Sequence, residues 1–202
     1  VPSASSSGPG PRLDGMLAAA TTTLLVLCVG LVAWGAVGPG PGSSPEDRPV
    51  VPAAAPLRLV VPSLDIDASV VPIGLTGDAV LDPPADATTV GWWDDSARPG
   101  AARGQVVITG HTVHTGGGAL DEVSTTSGLR GRRIDVRTRA GVQHYRVLRR
   151  EVLSREEVAA GAQGLFGQDR RDDRGARLVL VTCTDWNGSS YESNVVIIAE
   201  PA

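Results

Sequence analysis

Lysine is absent from this 202-residue chain, and all 18 of its basic residues are arginine. So complete a bias fits a GC-rich genome better than a function, and no mechanism follows from it. Positive charge is also outnumbered. The 22 acidic residues leave a formal net charge of -4, which gives no reason to expect nucleic-acid binding, whose modules usually carry a basic excess. Metal-ligand spacing is missing too: His111 and His114 stand three apart, but no nearby cysteine or carboxylate completes a site with them. Gly116-Gly-Gly118 reads as a flexible loop, since nothing around it resembles a phosphate-binding turn. Cysteine is scarce. Cys28 lies inside an apolar stretch and Cys183 stands alone in the remainder, so no disulfide framework is available and the lone thiol is either an inert packed side chain or a nucleophile.

The apolar stretch runs from Met16 to Val37 without a charge, and its 22 residues would reach about 33 Å as a helix, close to the bilayer hydrocarbon core of roughly 30 Å. It reads as a single membrane-spanning helix. A cleaved signal peptide fits less well, because the span is long and Ala33-Trp-Gly-Ala36 is a poor cleavage site. A lipoprotein site at Cys28 lacks the small residues that should precede it. Arg12 on one flank and Arg48 on the other say little about orientation; the short tail is expected inside and the bulk of the chain outside. The sequence opens on Val1, so Met16 or an unusual start codon is the expected origin of translation. Residues 1–15 are Ser, Gly and Pro with almost nothing to bury and should be a disordered cytoplasmic tail, while residues 38–56 repeat that composition as an extended linker. Residues 57–202 then form the folded domain.

Within that domain short β-prone runs alternate with Gly, Pro and Asp signals. Strands are predicted at 57–61, 66–71, 105–109, 132–138, 142–152, 177–182 and 194–199. Many short strands with punctuated turns indicate an all-β barrel or sandwich. One helix is well marked: Ser154 can cap its start, Glu157 completes a capping box and Gly161 ends it. A second short helix is predicted over 119–124. Trp92 and Trp93 are expected to cap the core. The eight arginines between Arg130 and Arg150 could meet anionic wall polymer or lipid headgroups, but they also describe a solvated sheet face.

Cys183 ends the apolar run Leu178-Val-Leu-Val-Thr-Cys183 and precedes the polar turn 184–190. That position, at the end of a strand, would hold a thiol rigidly with one side open. A free thiol with a pKa near 8.5 is only a few per cent thiolate at pH 7, so it needs a base. His111 also follows a β run and is the candidate; His114 reads as a surface residue and His144 as a sheet-face residue.

The succession LRLVVPSLDIDASVVPIG, VITGHTVH, LVLVTC and YESNVVIIAE, from residue 57 to the end, resembles a sortase, most like the class F branch. The resemblance implies an eight-stranded β-barrel with one or two short helices. Its TLxTC signature corresponds to Val179 through Cys183, with Val179 in place of Thr, and its catalytic histidine falls on His111. Sortases also use an arginine on the strand after the cysteine loop. Here that position holds Asn194, and the alternative position two residues earlier holds Glu192. Arginine would stabilise the oxyanion formed when thiolate attacks a carbonyl, and losing one such donor commonly costs about 2.7 to 4 kcal/mol. Asn194 and backbone N–H groups are the expected substitutes, because Arg177, six residues before the thiol, would lie about 20 Å away along a strand.

The resemblance implies a membrane-anchored cysteine transpeptidase outside a Gram-positive cell. It would cleave an LPXTG-type sorting signal between Thr and Gly, and join the protein to an amine of a peptidoglycan precursor through a thioacyl intermediate. Trp186 and Thr182 are the candidate substrate-binding residues, and the scheme needs neither metal nor organic cofactor. Two other readings compete: a sortase-like module that binds peptide or wall components with little or no turnover, and an L,D-transpeptidase-like cross-linker. The latter carries a His-Gly loop immediately before its cysteine, which residues 177–183 do not show.

Overall fold

The computed structural model describes residues 51–77, 80–169 and 174–202. The expected tail, the expected membrane helix with Cys28, and the linker up to residue 50 lie outside the described residues.

Eight strands close into a barrel in the order β1-β2-β3-β4-β7-β8-β6-β5. They are β1 (Pro56–Val61), β2 (Ile66–Ile73), β3 (Val90–Trp93), β4 (Gln105–Thr109), β5 (Arg133–Thr138), β6 (Gly141–Ser154), β7 (Arg177–Trp186) and β8 (Tyr191–Pro201). Among the described residues three short α-helices, α1 (Asp121–Thr125), α2 (Arg155–Ala160) and α3 (Ala162–Phe166), and one 3-10 turn, Pro62–Leu64, join them. The β2–β3 and β4–β7 pairs are parallel, and the other neighbours are antiparallel.

Seven strands stand where the β-prone runs predicted them, with shifted ends. The eighth, β3, is four residues long, too short for any periodicity to show. Its Trp92 is buried in the core, and the indole Nε1–H donates to the Ala97 carbonyl at 3.2 Å, so this tryptophan is part of a strand as well as a plug. The predicted helix at 119–124 is displaced to begin at Asp121. α3 had no marked cap in the sequence and was not anticipated.

β7 determines the layout. Leu178 and Leu180 point into the barrel core with Val195, Ile197 and Ala199 of β8. The alternate residues Val179, Val196 and Ile198 are also fully buried, in a second cluster with Leu165 of α3 and, at its margin, Val158, Phe166 and Val181. The strand is therefore covered on both faces, which is why its sequence is a continuous apolar run rather than an alternation. Each fully buried side chain of this size contributes roughly 1.5–3 kcal/mol of transfer free energy.

The helix pair over that outer face starts where the sequence said it would. Ser154 Oγ accepts from the Glu157 N–H at 3.2 Å, and the Glu157 carboxylate accepts from the Ser154 N–H at 2.8 Å. These bonds hold the Glu157 carboxyl below its ordinary pKa. The arginine-rich sheet region carries short-range pairs: Arg133 and His144 both meet Asp135, at 3.2 and 2.7 Å, and Arg149 meets Glu151 at 2.9 Å.

Candidate active site

Side chains alternate along β7, so Cys183 shares the outer face with Val179 and Val181, at the uncovered edge of the α2–α3 cluster. It is half-buried and forms no disulfide. One expectation needs correcting: the strand does not stop at Thr182. It pairs with β8 through Cys183↔Asn194, Thr184↔Ser193 and Trp186↔Tyr191, so the thiol stands within the sheet, three residues before the strand ends. The pairing extends because the connecting turn is tight. Asn187 Oδ1 accepts from the Ser189 and Ser190 N–H groups, both at 2.9 Å, which folds the chain back within four residues.

The segment carrying His111 is bound to the same strand. β4 runs parallel to β7 with Thr109 opposite Val181, and the Gly110 N–H donates to the Val181 carbonyl at 3.2 Å. β4 and its pairing with β7 end at Thr109, and beyond that point hydrogen bonds hold the next residues against β7. Thr182, pointing inward and 1% exposed, secures the arrangement. Its hydroxyl donates to the Gly110 carbonyl at 2.8 Å; that bond uses its one proton, so Thr112 is the donor in the 2.7 Å contact between the two hydroxyls. The hydroxyl of Thr182 is thus committed within the protein. Gly110 is needed for close approach: a Cβ there would lie 2.8 Å from both Leu120 Cδ1 and Val90 Cγ1.

His111 is half-buried, and its Nε2 lies 2.9 Å from the Pro84 carbonyl. A carbonyl only accepts, so Nε2 carries the proton and Nδ1 is the nitrogen left to accept one. The rest of the loop is held by Asp121, whose carboxylate accepts from the Val113 N–H at 2.7 Å and the Gly118 N–H at 2.8 Å. The Gly116–Gly118 stretch, expected as a flexible loop, is thus closed against α1. Beyond it His114 stacks on Trp186, with ring centroids 4.2 Å apart and planes 4° from parallel, and Tyr191 packs tilted against the same indole at 5.0 Å. The loop that follows His111 and the end of β7 therefore meet in an aromatic contact between residues far apart in the chain.

Burial pushes the Cys183 thiol pKa up, and the Arg155 guanidinium opposes that rise. Arg155 is the first residue of α2, and its Nη2 donates to the Tyr191 carbonyl at 2.9 Å. Tyr191 is itself raised, first by burial and then by the charges of Asp121 and Cys183. A thiol, an imidazole, a cation and an amide side chain are groups of the kinds that acyl transfer can use. Among the described residues no cluster of His, Cys, Asp and Glu could hold a metal ion.

A family model for the sortase domain matches residues 59–202. The chain belongs to the sortase family. Its barrel is also similar to solved sortases: sortase C-1 of Actinomyces oris at 18% identity and a TM-score of 0.55, covering 72% of each chain; sortase A of Corynebacterium diphtheriae at 18% and 0.55, covering 77% of this chain and 63% of that one; and sortase C of Streptococcus pneumoniae at 12% and 0.54, covering 73% and 68%. At such identities the likeness establishes the fold alone. No curated protein sequence matches the chain significantly.

Within the family frame, the register makes the arginine question concrete. Asn194 is the β8 residue directly opposite Cys183, and Leu153 of β6 is its neighbour on the far side. Glu192 is exposed, and its carboxylate accepts from Asn187 Nδ2 at 2.8 Å, in the turn rather than at the thiol. Arg177 is buried at the opposite end of β7, donating to Gln105 Oε1 at 2.7 Å. Arg155 was missed by the sequence reading, which located the helix but could not show which strand its first residue would reach across.

Proposed function

We propose that this protein is a membrane-anchored cysteine transpeptidase of the class F kind, with residues 57–202 as its catalytic domain outside a Gram-positive cell, residues 16–37 as its single membrane span and 38–56 as the spacer. The observation that supports the reading is the tethering of Gly110 and Thr112, the residues flanking His111, to Thr182, the residue before Cys183.

Cys183 Sγ attacks the Thr-Gly carbonyl of an LPXTG-type sorting signal as its proton passes to His111 Nδ1. The Pro84 carbonyl, accepting from Nε2–H, stabilises the imidazolium that results. That proton then moves to the leaving glycine amine as the C–N bond breaks, giving the thioacyl enzyme. An amine of a peptidoglycan precursor attacks the thioester and loses its proton through the same imidazole, and the thiolate departs and is reprotonated. Asn194, opposite the thiol, and backbone N–H groups are donors for the oxyanion. Trp186, exposed at 39% on the aromatic stack, offers a groove wall for the peptide.

The test is a labelled LPXTG peptide with an added amine, followed by mass spectrometry. A covalent adduct on Cys183 that turns over in the amine supports the reading. Peptide binding without an adduct would favour the other reading, a binding module, which Asn194 and Glu192 at the family's arginine positions suggest.

A further inference from the structure

β8 presents no cation beside Cys183, yet the sheet places one at its border. Across β7, β8 and β6 the rows read Cys183–Asn194–Leu153 and then Thr184–Ser193–Ser154. The chain leaves the sheet at Ser154, and the Ser154–Glu157 capping box fixes the direction in which α2 departs. Arg155 is therefore delivered to the edge of β8, one residue beyond the row next to the thiol. Its guanidinium donates to the Tyr191 carbonyl at 2.9 Å, at the start of the β8 arm of the hairpin whose other arm carries Cys183. This anchor uses one of five N–H donors and leaves the charge intact.

We propose that Arg155, at the start of α2 and hydrogen-bonded to the β8 arm of the β7–β8 hairpin, is the charge partner of Cys183, doing from the β6–β7 connection what an arginine on β8 would do. The inference rests on the reading of Cys183 as the nucleophile. A positive charge at that position favours thiolate over thiol and favours negative charge on a carbonyl under attack, through space and without replacing the Asn194 amide as a donor.

The surrounding charges allow this. Glu157 is held by the Ser154 backbone, Glu192 by Asn187 and Asp121 by the Val113 and Gly118 N–H groups. His111 is bound to Pro84, His114 is stacked on Trp186, and Tyr191 carries a raised phenol. Among the described residues no carboxylate forms an ion pair with Arg155. Because the arginine is exposed, solvent screens its charge and the effect should be moderate and salt-dependent.

The experiment follows iodoacetamide alkylation of Cys183 in the full chain from pH 6 to 10, reading the Cys183 peptide by mass spectrometry so that Cys28 does not contribute. Arg155→Ala should shift the profile to higher pH and slow alkylation near neutrality by about two- to fivefold. Arg155→Gln, which keeps a donor for Tyr191 but no charge, should behave like Arg155→Ala, while Arg155→Lys should recover most of the wild-type profile. The difference should shrink in high salt. Superimposable profiles for wild type and Arg155→Gln would overturn the proposal, since only the hydrogen bond would then matter. The labelled sorting peptide separates the two levels. A wild-type protein that forms no adduct sinks the transpeptidase reading, whereas adduct formation with an unshifted alkylation profile sinks only the role of Arg155.

Discussion

The two ends of the parallel β4–β7 pair use polar residues in opposite ways. At the start of the strands Arg177 and Gln105 are both buried: the guanidinium donates to Gln105 Oε1, Gln105 Nε2 donates to the Gly167 carbonyl at 3.1 Å, and Gln168 Oε1 accepts from the Gln105 N–H at 3.1 Å. These hydrogen bonds tie the start of β4 and β7 to the segment after α3. At the finish of the same strands Cys183 and His111 are half-buried, and the imidazole keeps a nitrogen without an acceptor's duty. One scaffold thus carries a polar cluster buried within the protein at one end and a thiol and imidazole partly open to solvent at the other, and the difference lies in burial.

Four substitutions would break or sharpen that contrast. The largest effect is expected from Cys183→Ala, which should reduce sorting-peptide turnover by about 1000-fold or more while leaving the urea midpoint nearly unchanged. Arg177→Ala should do the reverse. It strands Gln105 in the closed end, lowering stability by about 2 to 3 kcal/mol in urea denaturation, with the native alkylation rate of Cys183 unaffected. If turnover fell in parallel, the two ends would not be separable.

Gly110→Ala should affect both properties, because the new Cβ meets Leu120 and Val90 at 2.8 Å beneath His111. A stability loss of about 1 to 2 kcal/mol is expected, with turnover reduced more than peptide binding, measured by comparing kcat and KM. The smallest effect should come from Ser154→Ala. Losing the cap costs about 1 kcal/mol in thermal denaturation, and the freed start of α2 should reproduce part of the alkylation shift expected of Arg155→Ala.

Local rules made much of this fold legible. The apolar run of β7, the capping box at Ser154 and the strands on either side of His111 follow from periodicity and hydrogen-bonding chemistry within a few residues. β3 was not legible, since four residues carry no period, and α3 was not because its start lacks a side-chain cap. The end of β7 was misplaced for a related reason: residues 184–186 look like a loop in sequence, and only pairing with β8 makes them strand. In the site, Cys183 and His111 could be singled out because each follows an apolar run. Pro84, Asp121, His114 and Arg155 could not, because each gains its role from a contact made far along the chain.

The amino-acid sequence by itself determined a β-rich domain with one thiol outside its apolar stretch, one helix of known start, and a cysteine and a histidine each following a β run, because those features depend on neighbours within a turn or a strand. The tertiary structure decided which face of β7 the thiol occupies, what the imidazole hydrogen-bonds and which carbonyl anchors Arg155. Those outcomes depend on register between strands 70 or more residues apart, as between Gln105 and Arg177, and register is fixed only when the barrel closes and its two clusters pack.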